Sequence, residues 1–198
     1  MLVTKPYIRE NAVAYARKYA FSQNPLFSSF AGIGGNCTNF VSQALYAGSC
    51  EMNYTPTFGW YYISLNERSP SWTGVDYFYN FITGNQGVGP YGREATIDEL
   101  EIGDVIQLAR EGEGYYHTLL VVGFENNDTL VAAQTGRAHQ RRPIFPGRLG
   151  KLPYQPQVRK ALQSPQGICV AVFRLKHDGG FQGIHQTALP GNTEFGGE

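Results

Sequence analysis

The first third of the chain places its apolar residues at helical spacing. Over residues 9–20, four residues at i, i+3, i+4 and i+7 form one apolar face: Ala12, Tyr15, Ala16 and Tyr19. A second helix is predicted from Cys37 to Ala47, with a buried stripe formed by Phe40, Val41, Ala44 and Leu45. Gly48 is expected to end it. A short helix is predicted over 75–82.

The later part of the chain changes to strand patterns. Apolar runs bounded by polar turns predict strands at 104–108, 115–124, 130–135 and 168–175. The short turns between successive strands indicate antiparallel hairpins. Loops are predicted at 84–92 and, because of their prolines, at 136–166, with one helical turn near 157–162. Helices followed by hairpin-linked strands define an α+β class, in which the helix beginning at Cys37 packs against the sheet.

The length and charge of the chain restrict its organisation and partners. The chain has 198 residues, 42% of them hydrophobic, which suits one domain at 1–176 and a polar, glycine-rich tail at 177–198. Its 16 basic and 16 acidic residues provide no field for nucleic acid. No run approaches the roughly 18 apolar residues of a membrane span. The N-terminus lacks a signal-peptide core, so the protein is expected to be secreted or cell-wall-associated if a leader was removed, and cytoplasmic otherwise. The oligomeric state is left open.

The cysteine count bears on disulfides and metals. Cys37, Cys50 and Cys169 are an odd set without a CxxC pair, so a zinc site is not expected. Cys50 and Cys169 are predicted to be two separate buried thiols, with a disulfide between them as the alternative. No metal or organic cofactor is expected.

The segment from Gly34 to Cys37 carries the predicted chemistry. A glycine-rich loop delivers Cys37 to the first turn of an amphipathic helix. The unpaired amides and the dipole of a helix N-terminus favour an anion, which favours a thiolate nucleophile. The backbone amide of Cys37 is a ready half of an oxyanion hole.

A thiolate nucleophile also needs a base and a group that orients it. Of the four histidines, His117 is the predicted base because it stands at the head of the apolar run 118–122, where it is well placed to face a cleft. Pairing of the next strand across the turn at 126–128 brings Gln134 near His117. A glutamine carbonyl can accept the imidazole N–H, so Gln134 is the predicted orienting residue.

Three further residues are predicted to bind substrate. Asn36 precedes the nucleophile, and Trp60 and Trp72 are candidates to line a cleft. Aromatic residues are more often part of a core, which is the alternative for both tryptophans. Asp104 is expected to satisfy turn amides.

Several motifs follow one another in a recognisable order. The chain carries Tyr7-x-Arg9-x-x-Ala12-Val13-x-Tyr15-Ala16, Gly34-Gly35-x-Cys37-Thr38-Asn39-Phe40-Val41-Ser42-Gln43, Ser71-Trp72, Gly103-Asp104-Val105-Ile106 and then His117. This order resembles the putative amidase domain family of Gram-positive bacteria, which is similar to the NlpC/P60 and CHAP cysteine peptidases and amidases.

The resemblance implies a papain-like, NlpC/P60-type core and a Cys-His-polar triad. It also implies hydrolysis of an amide or peptide bond through an acyl-enzyme, with a peptide or peptidoglycan-type substrate. Two positions depart from the pattern: Asn36 stands where an acidic residue is usual, and Gln134 where a histidine is common. A weaker orienting group at Gln134 would lower the activity.

Two alternatives remain open at this stage. A transamidase or thioesterase would use the same Cys37 and His117 with another acceptor. A non-catalytic module that binds the cell wall or another partner would keep the fold and lose turnover. A zinc-dependent enzyme is disfavoured, because no ligand spacing supports it.

Overall fold

The computed structural model describes residues 2–110, 112–125 and 128–134, and also the backbone of 144–149, 162–163 and 168–180. Within these residues the chain forms four α-helices: α1 (Arg9–Tyr19), α2 (Cys37–Ser49), α3 (Pro70–Thr73) and α4 (Val75–Gly84). It also forms eight strands there: β1 (Leu2–Lys5), β2 (Gly89–Ala95), β3 (Val105–Arg110), β4 (Gly114–Glu125), β5 (Asp128–Ala133), β6 (Ile144–Leu149), β7 (Leu162–Gln163) and β8 (Ile168–Gly180).

The strands form one antiparallel sheet in the order β1-β8-β3-β4-β5-β6, and β2 and β7 also pair with β8. The consecutive strands β3, β4 and β5 are joined by short turns, so the predicted hairpins are confirmed. The α+β class is confirmed as well.

The sheet carries apolar side chains on both faces. One face packs against the helices in a large cluster that includes Phe40, Leu45, Val105 and Leu120. The other face carries a smaller cluster formed by Leu100, Ile106, Leu119, Val121, Val131 and Ala133. The alternation of a strand explains this division, because neighbouring residues of β4 point to opposite faces.

Helix α2 ends differently from the prediction. It continues through Gly48 to Ser49, and Cys50 takes the left-handed C-cap conformation with φ of 58°. Gly48 has another role: a Cβ there would lie 2.8 Å from the carbonyl oxygen of Ile8 and would also overlap the ring of Tyr7. The Ile8 amide donates to the Gly48 carbonyl at 2.9 Å. Gly48 therefore permits close packing between α2 and the chain that enters α1.

The loops predicted at 84–92 and 136–166 contain strands, so those predictions were wrong in part. Strand β2 occupies 89–95, and β6 and β7 lie within the second segment. Strand β8 runs past the predicted domain boundary at 176, and its last residues pair with β1. Strand β2 and the end of β8 form through pairing with partners distant in sequence, which local periodicity does not reveal. Strands β6 and β7 pair with the neighbouring β5 and β8, and the prolines of their segment had favoured a loop. Residues 157–161 of the predicted helical turn, and 181–198 of the tail, lie outside the described residues.

Asp104 joins the turn before β3 to the start of α1. Its buried carboxylate accepts a hydrogen bond from the backbone amide of Glu101 at 2.8 Å, which confirms the predicted turn role. It also accepts from Arg9 Nη1 at 2.7 Å. The position of α1, and therefore of its partner α2, is tied to the sheet by this buried ion pair.

Candidate active site

Cys37 is the first residue of α2 and is 8% exposed. The loop before it turns through Gly34 and Gly35, whose φ angles are 98° and 110°. Such angles strain residues with a side chain, and no atom lies within 4 Å of a Cβ built at either position. These glycines are therefore required by the backbone conformation rather than by a lack of space.

His117 lies on β4 and is 6% exposed. Its buried Nε2 has no hydrogen-bond partner within the described part of the chain. Burial lowers the pKa of His117 to about 4, because the charged imidazolium is poorly solvated there. The imidazole is therefore neutral at neutral pH and able to accept a proton.

A buried hydroxyl pair brings the start of α2 against β4. Thr38 Oγ1 and Thr118 Oγ1 lie 2.9 Å apart, and each of these residues directly follows a predicted catalytic residue. Gln107 on β3 donates through Nε2 to Thr118 Oγ1 at 3.2 Å. Thus Cys37 and His117 each stand one residue from the same buried contact.

The pleat of β4 and a bulge determine where the His117 side chain points. In a regular strand His117 would face the side opposite to Thr118, which is the side of Leu119 and the smaller cluster. The β3–β4 ladder is irregular beside it: Leu108 pairs with His117 and Ala109 with Tyr115. The extra residue, Tyr116, makes a bulge, a feature that re-aims nearby side chains. An approach of the imidazole to Cys37 would therefore require this bulge.

Gln134 contacts other groups than the one predicted. Its Nε2 donates to the carbonyl oxygens of Tyr19 at 2.5 Å and Ser22 at 2.9 Å, and its Oε1 accepts from Asn36 Nδ2. No hydrogen bond joins Gln134 to His117 among the described residues. The structure therefore brings Gln134 to the residue before the nucleophile, and not to the base.

Asn36 is buried, and its whole side-chain amide is engaged. Its Oδ1 accepts from the amide of Phe30 at 3.0 Å and from Asn39 Nδ2 at 2.8 Å, while its Nδ2 donates to Gln134. No polar atom of the side chain is left without a protein partner. These contacts are those of a structural residue rather than of the substrate-binding residue that was predicted.

Trp60 and Trp72 lie in the core and not along a cleft. Both have an exposed fraction of 0%. The indole of Trp60 donates to Ser42 Oγ at 3.0 Å, and that of Trp72 donates to Asn39 Oδ1 at 2.9 Å. Side chains without exposed surface offer no contact to a substrate, so the alternative core assignment is the one the packing supports.

The cysteines of α2 differ in exposure. Cys50, at the C-cap, is exposed and free, so the prediction of a buried thiol there was wrong. The side chain of Cys169 lies outside the described residues. Cys50 gives the protein an exposed reference thiol on the same helix as Cys37.

The sequence analysis did not identify two polar residues that lie in the contact between α2 and the sheet. Thr118 and Gln107 read as ordinary strand residues, yet both are fully buried and polar. The available signal was a threonine directly after each predicted catalytic residue, together with a glutamine in an otherwise apolar strand. Buried polar groups of this kind require partners: Gln107 Nε2 donates to Thr118 Oγ1 and to the Val75 carbonyl oxygen, while Gln107 Oε1 has no partner among the described residues.

The described residues contain neither a cluster of metal ligands nor a helix suited to a bilayer. No three His, Cys, Asp or Glu side chains converge there as a metal site. None of the helices described combines the length and apolar character needed to cross a bilayer.

The buried histidine makes a prediction for stability. Because the pKa of His117 falls from 6.5 in water to about 4 in the fold, the unfolded chain binds the proton more tightly. Stability is complete above pH 6.5 and is lost as the pH falls towards 4, by about 3 kcal/mol in total. We expect urea unfolding of the wild type to weaken by this amount relative to His117→Gln over that window. Parallel curves for the two proteins would contradict the burial of a neutral imidazole.

An α+β fold with a cysteine at a helix N-terminus, beside a strand that carries a buried neutral histidine, defines a candidate thiol–imidazole site. Residues 6–145 match the putative amidase domain family, and the chain belongs to that family. Over 139 residues it is 35% identical to an uncharacterized protein of Bacillus subtilis (strain 168), YhbB. The match covers 68% of this chain and 43% of that relative's length. No solved structure matches the chain.

Proposed function

We propose that this protein hydrolyses an amide bond through a Cys37 thiolate, with His117 as the proton-transfer group. Membership of the putative amidase domain family suggests amide hydrolysis. The observation that carries the cysteine mechanism is the Thr38–Thr118 contact, which sets the first turn of α2 and its Cys37 against the strand of His117. A papain-like, NlpC/P60-type arrangement of the fold is part of this proposal.

In the proposed reaction, His117 takes the proton of the Cys37 thiol, and the sulfur attacks the amide carbonyl. The backbone amides at the start of α2 stabilise the oxyanion. His117 then protonates the leaving amine, and water attacks the thioester with the proton passing back through the imidazole. His117 is neutral before the first step, and burial alone leaves its proton affinity low, so the mechanism requires the negative charge of the adjacent thiolate to raise the pKa of the imidazole as the proton moves. Peptides of peptidoglycan are the proposed substrates, on the family resemblance.

Alkylation of Cys37 tests this mechanism. We expect iodoacetamide to modify Cys37 faster than Cys50 at mildly acidic pH, although Cys37 is the more buried thiol. His117→Ala is expected to remove this advantage and to leave the Cys50 rate unchanged. The rates are measured by mass spectrometry of the two peptides across a pH series, with Cys50 as the reference within the same chain.

A non-catalytic binding module is the second candidate, and one observation favours it. A regular pleat would direct His117 to the face opposite Thr118, which would separate the imidazole from the thiol. That arrangement predicts a Cys37 whose alkylation follows that of an ordinary buried thiol and is indifferent to His117. Such a result would replace the enzyme with the module.

A further inference from the structure

The first amides of α2 have no acceptor. The first intrahelical hydrogen bond runs from Phe40 to the Asn36 carbonyl at 2.9 Å, and the amides of Cys37, Thr38 and Asn39 donate to no group within the described residues. An asparagine at the N-cap normally accepts a hydrogen bond from such an amide. Asn36 makes no cap of this kind, so the amides remain available to a substrate oxygen.

The Asn36 Oδ1 is occupied by donors other than the backbone amides of α2. Its Oδ1 faces the Phe30 amide and Asn39 Nδ2, and its Nδ2 faces Gln134 Oε1. To cap α2, Oδ1 would have to leave two donors and turn towards the helix amides. Asn36 is 3% exposed, so water does not readily replace these partners.

Gln134 has one permitted orientation. Its Nε2 faces the carbonyl oxygens of Tyr19 and Ser22, at 2.5 Å and 2.9 Å. A flipped amide would place Oε1 against two acceptors, which have no proton to share. Oε1 must therefore face Asn36 Nδ2, and this keeps Asn36 Oδ1 on the Phe30 amide and Asn39 Nδ2.

We infer that Gln134 is a positioning residue that acts on the nucleophile through Asn36 and leaves the first-turn amides of α2 free for the oxyanion. This inference rests on the proposed function. The Cys37 sulfur forms a bond to the acyl carbon while the C=O π electrons move to oxygen, where the free amides stabilise them. Collapse of this intermediate restores C=O and expels the leaving group with its electron pair.

Two reactions of the same thiol separate this role from a general structural one. Acetylation of Cys37 by p-nitrophenyl acetate passes through an oxyanion, whereas alkylation by iodoacetamide displaces iodide and forms none. In Gln134→Met we expect acetylation to slow about 10- to 100-fold, because the oxyanion then loses part of the stabilisation that one donor supplies. Alkylation is expected to stay within about threefold, because the thiolate needs no oxyanion hole.

A second variant guards against disruption of the sheet by Gln134→Met. Asn36→Ser leaves Gln134 in place and introduces a side chain that caps helices well, so it is expected to occupy the same amides and slow acetylation selectively. Gln43→Met is the matched control. Gln43 is a glutamine with a hydrogen-bonded side chain, which accepts from the Tyr15 hydroxyl at 2.5 Å, but it lies outside the Asn36 contacts. It should leave the ratio of the two rates unchanged.

Repeating the measurement in a His117→Ala protein distinguishes action of Gln134 through Asn36 from action through His117. If Gln134 acts through Asn36, Gln134→Met slows acetylation by the same factor with or without the imidazole. If it orients His117, the factor vanishes in that background, and the inference is overturned. The two substitutions are compared in one cycle of four proteins, each assayed at the Cys37 peptide.

The outcomes also separate the inference from the proposed function. Wild type that acetylates at Cys37, with Gln134→Met and Asn36→Ser equally fast, overturns the inference alone. Equal slowing of acetylation and alkylation assigns Gln134 a purely structural role and overturns it too. Wild type that does not acetylate at Cys37 overturns the proposed function, and the inference falls with it.

Discussion

Cys37→Ala is expected to abolish hydrolysis, with a loss of at least about 10³-fold in kcat/KM. In the proposed mechanism the substitution removes the atom that forms the acyl-enzyme, and the first amides of α2 then have no nucleophile to assist. The measurement is release of amino groups from peptidoglycan peptides. His117→Ala is expected to cost a similar factor, and the double variant no more than either alone, since the two residues act as one unit.

The control for this prediction is Cys50→Ala. Cys50 lies on the same helix but at its exposed end, so its loss is expected to leave turnover unchanged. A Cys37→Ala protein that retains wild-type turnover would refute the thiol mechanism. Equal losses from both cysteine substitutions would indicate damage to α2 rather than loss of a nucleophile.

Trp72→Ala is expected to lower the free energy of unfolding by about 4 kcal/mol. Trp72 is fully buried, lies 4.7 Å between ring centroids from Trp60 and packs on Phe27 in a stacked arrangement. Truncation leaves a large cavity and also strands Asn39 Oδ1, which accepts the indole hydrogen. Urea denaturation followed by circular dichroism measures the loss.

An exposed aromatic residue on α4 serves as the comparison for Trp72. Tyr77 is 62% exposed, and Tyr77→Ala is expected to change stability by less than about 0.5 kcal/mol. If Trp72→Ala left stability intact and raised KM instead, the predicted role of Trp72 in substrate binding would be restored. A loss of stability without a specific effect on KM agrees with the core assignment.

The sequence predicted those elements whose signal is local. Helix α1 and the hairpins of β3, β4 and β5 follow from periodicity and turn residues, and they are confirmed. Strand β2 was missed because its partner β8 lies far along the chain, whereas β6 pairs with the neighbouring β5 and was missed because prolines favoured a loop there. The end of α2 was misplaced because a glycine was interpreted as a stop signal, whereas Gly48 serves a close contact with Ile8.

The residues of the candidate site were likewise predictable only where the signal was local. A cysteine after a glycine-rich loop and a histidine at a strand start are local features. The hydrogen-bond partner of Gln134 does not follow from the local sequence. The symmetry of the hairpin predicted that Gln134 lies near His117, but the β4–β5 ladder shifts register between Val121 and Gly123. The partners of a side-chain amide are set by the donors and acceptors that surround it in the folded chain. For Gln134 Oε1 that partner is Asn36.

The packing of Gly48 on Ile8 has a consequence for motion. Helix α2 is fastened near its C-terminal end by the Ile8–Gly48 hydrogen bond and near its start by the amide contacts of Asn36. Sliding or tilting a helix that is fixed at both ends requires these contacts to break, so we expect other segments to move when the site opens. The loop before Cys37 has that freedom, since Gly32, Gly34 and Gly35 stand in open space. We therefore expect access to the nearly buried thiol to require movement of this loop rather than of helix α2.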